Sequence, residues 1–168
     1  MSGARPYDGG MHIRRARLTD LQTIVEFNAL LASESEGVKL DLDRLRAGVA
    51  TVLQDATRGF YLLAETDAGE PAGQLGLTFE WSDWRNGVFW WLQSVYVRPE
   101  YRRKGVLRAL YDRILEMSTD HGVCGIRLYV ERENRAAQDA YRRLGLEPTV
   151  FHMYENDFVI DRRTPEER

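Results

Sequence analysis

A chain of 168 residues, 43% apolar and 29% charged, has the size and make-up of one globular domain. Its 23 Lys and Arg against 26 Asp and Glu leave a net charge of −3, which argues against a nucleic-acid partner. The 4 Trp, 8 Tyr and 6 Phe need a core, so disorder is excluded as the main state, and no apolar run is long enough to span a membrane.

The spacing predicts the following elements. Residues 1–10 and 158–168 read as flexible tails around a domain at 11–157, and no apolar secretory segment opens the chain. A strand fits 11–17. Thr19 and Asp20 then offer a helix start, followed by Leu21, Ile24, Val25, Asn28 and Leu31 at helical spacing until Glu34–Gly37. A second helix carries Leu42, Leu45, Val49 and Val52, capped by Asp41 or Asp43. Strands follow at 60–64 and 72–81, the latter with Leu75, Leu77, Phe79 and Trp81 in alternation. Asn86 and Gly87 supply a hairpin turn into a long strand at 88–98. A basic loop then feeds a helix carrying Val106, Leu110 and Ile114. A strand at 123–130, a helix at 134–144 stopped by Gly145, and a last strand within 146–155 complete the order βααβββαβαβ.

Metal chemistry has no foothold, because His12, His121 and His152 lack Cys, His or acidic partners at ligand spacing. The lone Cys124 sits in an apolar run and reads as a buried small hydrophobe. It permits no internal disulfide, which fits a reducing, cytoplasmic compartment. The informative stretch runs from Val95 to Arg108. A strand meets a turn rich in Arg102, Arg103 and Lys104, and a helix begins at Gly105. Unpaired N–H groups at a helix start, full positive charges and a glycine that admits close approach together suit a diphosphate. The stretch lacks the glycine and hydroxyl pattern of a Walker loop, and the chain contains no G-x-G-x-x-G.

Arg102-Arg103-Lys104-Gly105-Val106-Leu107 resembles the Q/R-x-x-G-x-G/A loop of the GCN5-related N-acetyltransferases (the GNAT family). Further on, Asn134-x-x-Ala137-x-x-x-Tyr141-x-x-x-Gly145-Leu146 resembles the family's N-x-x-A-x-x-x-Y-x-x-x-G-F pattern. Leu107 departs from the first motif, where the family usually has Gly or Ala. The resemblance implies a mixed α/β fold with a mostly antiparallel sheet, splayed between the strands at 88–98 and 123–130. It implies acetyl-CoA as cosubstrate. Val95, Tyr96 and Val97 would line the pantetheine arm, with backbone pairing from Val95 and Val97. The N–H groups from Arg103 through Val106 and Leu107 to Arg108 would hold the diphosphate beside Arg102. Asn134 would contact the cofactor near the sulfur, and Tyr141 would protonate the departing thiolate or hydrogen-bond it while charge develops.

The implied reaction moves acetyl to a primary amine of a small molecule or peptide by direct attack in a ternary complex. A non-catalytic acyl-CoA-binding module on the same fold is the alternative. The amine needs a base, and Glu80 at the end of its strand is the first candidate. Glu34, Glu36, Asp83 and Trp84 are candidates for the acceptor side. Trp81, Trp84, Trp90 and Trp91 crowd one hairpin, as sheet packing or as a wall for substrate. Gln93 and Ser94 interrupt an apolar strand, facing substrate or bonding to neighbouring backbone. The family also admits a homodimer; no membrane or nucleic-acid partner is implied.

Overall fold

The computed structural model describes residues 10–119 and 122–160, so His121 and most of both expected tails lie outside the described residues. The elements run β1 (Met11–Arg15), α1 (Leu21–Glu36), α2 (Leu42–Gln54), β2 (Phe60–Thr66), β3 (Pro71–Ser82), β4 (Gly87–Val97), α3 (Val106–Thr119), β5 (Val123–Arg127) and α4 (Arg135–Arg143). The strands form one sheet in chain order, β1 to β5. β1 through β4 pair antiparallel, and β5 pairs parallel to β4.

β2 explains why both faces of this sheet are covered. Strand side chains alternate between faces, and nearly every β2 residue is apolar and buried. Phe60, Leu62 and Ala64 join Val106, Leu110, Tyr111 and Ile114 of α3 in one core. Tyr61 and Leu63 point the other way, against Ile24 and Val25 of α1 and Val49 of α2. α4 reaches the α3 side through Leu144 and Leu146, which pack on that core.

Caps set the helix limits. Asp41 accepts from the N–H groups of Asp43 and Arg44 at 3.0 and 3.1 Å, so Asp41 rather than Asp43 is the N-cap of α2. Gly37, at φ 64°, ends α1. α1 therefore continues through Glu36, and Glu34 is a helical residue instead of a loop charge. Asp20 accepts from the Arg17 N–H at 2.7 Å and from both terminal nitrogens of Arg14 at 2.8 Å. Those contacts hold its carboxyl below the usual range, Arg14 contributing most.

Three expectations need correction. No strand forms within 146–155. A strand needs a partner edge, and this segment takes up no ladder, leaving Val150, Phe151 and Tyr154 exposed. The order is therefore βααβββαβα. β5 stops at Arg127 instead of Val130, because its pairing with β4 ends there. Cys124 is half-buried rather than buried.

Candidate functional site

β4 has two different halves. From Val88 to Trp91 it pairs with β3 on one side and β5 on the other. The last β5 pair is Trp91 with Arg127, yet β4 runs on to Val97 with only β3 beside it. The backbone edge beyond Trp91 is thus open, as the expected splay between these strands requires. Within that open half the ladder jumps: Gln74 faces Tyr96, while Gly76 faces Gln93. Two steps on β3 match three on β4, which is a bulge around Ser94 and Val95. Ser94 stands at φ 49°.

The open half leads into the basic loop. Arg103 at φ 61° and Gly105 at φ 86° both take left-handed backbone there. A Cβ at Gly105 would meet nothing within 4 Å, so the space in front of this backbone is clear. Ala109 donates to the Gly105 carbonyl at 2.9 Å, the first helical bond of α3. The N–H groups of Val106, Leu107 and Arg108 precede it and have no acceptor within the helix. Val106 anchors the turn in the core, and Leu107 is half-buried. Clear space, left-handed backbone and first-turn donors suit a diphosphate.

The four basic side chains are not equivalent. Arg102 folds back: its Nε donates to the Val97 carbonyl at 2.9 Å and its Nη2 to Glu34 at 2.5 Å. Glu34 also accepts from the Tyr96 hydroxyl at 2.9 Å. The Arg102 hydrogen bond is the main reason the Glu34 carboxyl lies below its usual range. Arg108 donates to the Arg143 carbonyl at the end of α4, a favourable place for a cation. Arg103 and Lys104 are exposed. Arg102 and Arg108 therefore hold α1 and α4 against the loop.

The second motif forms α4 and its two ends. Asn134 caps α4, its side-chain oxygen accepting from the Ala137 N–H at 3.1 Å, which leaves the amide NH2 to donate elsewhere. Leu146 donates to the Tyr141 carbonyl at 3.1 Å and Gly145 to Arg142 at 3.0 Å. With Gly145 at φ 91° this is a Schellman stop, so Gly145 fixes where the turn bearing Tyr141 ends. Burial raises the Tyr141 phenol above its ordinary value, which keeps it protonated.

Other candidates lie elsewhere. Glu80 sits opposite Phe89, in the half of β4 paired on both sides. Its carboxylate accepts from Trp91 Nε1 at 2.5 Å and from Arg127 at 3.0 and 3.1 Å. Asp83 and Trp84 lie beyond the Ser82–Gly87 pair, roughly 23 Å from Ser94 at the usual strand rise. Trp84 is 90% exposed, Trp90 is buried, and Trp91 is half-buried against Glu80. Glu36 lines a pocket beneath α1 that also touches Asn28 and Ser94. Gln93 bridges Thr78 at 3.3 Å and the Tyr129 hydroxyl at 3.1 Å, so it bonds to neighbouring side chains. Sequence reasoning assigned no role to Gln74, Tyr129 or Arg127. Gln74 had a signal, as the one polar side chain with an amide inside the apolar run from Ala72 to Leu77.

Comparisons with known proteins match both the chain and its fold. The model of the Acetyltransferase (GNAT) family matches residues 25–146. A thialysine N-epsilon-acetyltransferase from Bos taurus is 33% identical over 145 residues, covering 79% of this chain and 82% of the relative. A crystal structure described as a possible acetyltransferase, from Clostridium difficile 630, superposes with a TM-score of 0.81 at 42% identity, covering 89% and 99% of the two chains. An aminoglycoside N-acetyltransferase solved in complex with CoA shares the fold, with a TM-score of 0.74 at 20% identity over 92% and 99% of the chains.

Proposed function

Because the chain belongs to the GNAT acetyltransferase family and uses acetyl-CoA, we propose that it acetylates a small primary amine held against the open half of β4. The supporting observation is the parting of β4 from β5 after Trp91 and Arg127, with the Arg103–Gly105 turn and the start of α3 at its mouth. Acetyl-CoA supplies the activated acyl group. The exposed edge around Val95 and Val97 offers it backbone partners, and Tyr96 stays on the opposite face, turned to α1. The N–H groups from Arg103 to Arg108 receive the diphosphate, and Asn134 offers its amide near the sulfur.

The amine nitrogen attacks the thioester carbonyl, the C–N bond forms, and the C–S bond breaks. Tyr141 gives its proton to the departing thiolate, a role for which a phenol held protonated by burial is suited, and regains one as the new amide nitrogen sheds its extra proton. Glu34 and Glu80 are both committed to arginines. The proton of the incoming ammonium is therefore assigned to solvent at the open mouth rather than to Glu80.

Thialysine, the amine in the name of the bovine relative, is the first acceptor to assay; peptide amines and aminoglycosides follow. The place of action is taken to be the cytoplasm, where the half-exposed Cys124 thiol would stay reduced. A homodimer belongs to the same proposal. Tyr154 and Phe158 are 93% and 90% exposed, and β5 is an edge strand, so a second copy would cover both. The test is calorimetric titration with coenzyme A, then thiol release from acetyl-CoA with thialysine and the wider amine panel. Binding with amine-dependent thiol release supports the proposal. No affinity for coenzyme A, or no release with any amine, overturns it.

A further inference from the structure

The β4 bulge has a buried support with no part in the chemistry above. Gln74 of β3 is completely buried. Its Nε2 donates to the Asn28 side-chain oxygen at 2.6 Å and to the Ser94 carbonyl at 3.2 Å. Asn28, also buried, donates to the Tyr61 hydroxyl at 3.3 Å. The Gln74 Oε1 has no partner. Burying a carboxamide with an unmet acceptor is unfavourable, so the group is a poor choice for filling space alone. The conformation it supports is also unfavourable, since a serine at φ 49° persists only where its surroundings hold it.

We propose that Gln74, oriented by Asn28, is the positioning residue for acyl transfer: its amide holds the Ser94 carbonyl and so fixes the bulge. The bulge decides which way the open half of β4 faces. Val88 and Val95 both pack on the α3-side core, although seven positions separate them and strict alternation would put them on opposite faces. The extra residue restores the match, so Val97 also packs there, while Tyr96 turns to α1 and meets the Phe27 ring at 5.2 Å. Without the bulge, every side chain from Val95 to Val97 would change face. Asn28 and Ser94 both line the pocket of about 160 Å3 beneath α1. An acceptor seated there would touch both ends of the support. The consequence for turnover rests on the proposed function; the hold on the bulge does not.

Two variants test it. Gln74→Met keeps the volume and removes both donated bonds. Gln74→Glu keeps the shape but places an acceptor where the amide donates, and regains a donor only when protonated. In Gln74→Met, amide hydrogen exchange at Tyr96, paired with Gln74, and at Arg98, whose N–H donates to Ala72, is expected to quicken about tenfold beyond any change in β1 and β2. With acetyl-CoA and thialysine, kcat is expected to fall by about 30-fold while KM for acetyl-CoA stays within about threefold. In Gln74→Glu, activity relative to the wild type is expected to rise by about fivefold from pH 8.5 to pH 6, as the buried carboxyl takes up its proton. Uniform exchange, equal loss in kcat and in cofactor affinity, or a flat activity ratio overturns the proposal. If Gln74→Met does not fold, the Gln74→Glu ratio decides. If the wild type turns over no amine, the proposed function fails and the exchange measurement decides the hold on the bulge.

Discussion

The two halves of β4 are both apolar apart from Gln93 and Ser94, and they are paired differently. Val88 to Trp91 is paired on both edges and stitched across its face by Glu80, Trp91 and Arg127. The Arg127 guanidinium also lies 3.5 Å from the centre of the Phe89 ring, a favourable cation–π placement. Leu92 to Val97 has one neighbour, a bulge, and a helix start beyond its end. In the first half the backbone is spent on the sheet. In the second one edge is left unpaired, which is where the proposal seats the cofactor. Backbone pairing, more than side-chain type, therefore separates the structural end of this strand from the functional one.

The largest test of that division is Tyr141→Phe at the open end. It is expected to lower kcat by about 100-fold while coenzyme A affinity by calorimetry stays nearly unchanged. Because burial pushes the phenol above its ordinary value, it stays protonated through the whole range below that value. The wild-type kcat profile is then expected to show no fall up to about pH 10 that the variant abolishes. Turnover unchanged in the variant would remove the proton-donor role, whereas a fall in the wild type near pH 8 that the variant lacks would leave that role in place and overturn the raised phenol.

Gly105→Val comes next. A valine at φ 86° strains the loop and fills the clear space before the first-turn N–H groups. Coenzyme A affinity is expected to drop by about 30-fold, roughly 2 kcal/mol, measured by calorimetry on folded protein. Unchanged affinity would move the diphosphate away from this helix start.

The smallest effect is expected at the closed end. Glu80→Gln weakens a half-exposed ion pair worth on the order of 1 kcal/mol or less, seen as a small Tm decrease. Its kcat with thialysine should stay within about threefold of wild type. A large loss confined to kcat, with a pH profile shifted by the substitution, would return Glu80 to the role of base and erase the distinction between the halves.

Much of this site is legible in the chain because it depends on neighbours in sequence. The Arg102–Gly105 turn, the start of α3 and the Asn134–Gly145 unit are local features. The last is a capped helix whose stop Gly145 supplies. Long-range partners were not legible. Nothing in the order of residues says that Arg102 turns back to Glu34, 68 positions earlier, or that Glu80 meets Arg127, 47 positions later. Glu80 looked free because its partners lie on other strands. Asn28 fell in the apolar stripe of α1, but only the fold brings it to Gln74.

The sequence by itself determined all the elements that form, though it added a last strand, and it determined the family and the loop proposed to hold the diphosphate, since periodicity, caps and turn glycines act over a few residues. It also placed Asn134 and Tyr141 on one short helix. Tertiary structure alone decided where β4 leaves β5, where the bulge falls and which carboxylates are already spoken for. Those outcomes depend on edges and side chains far apart in the chain, which meet only when the sheet closes around them.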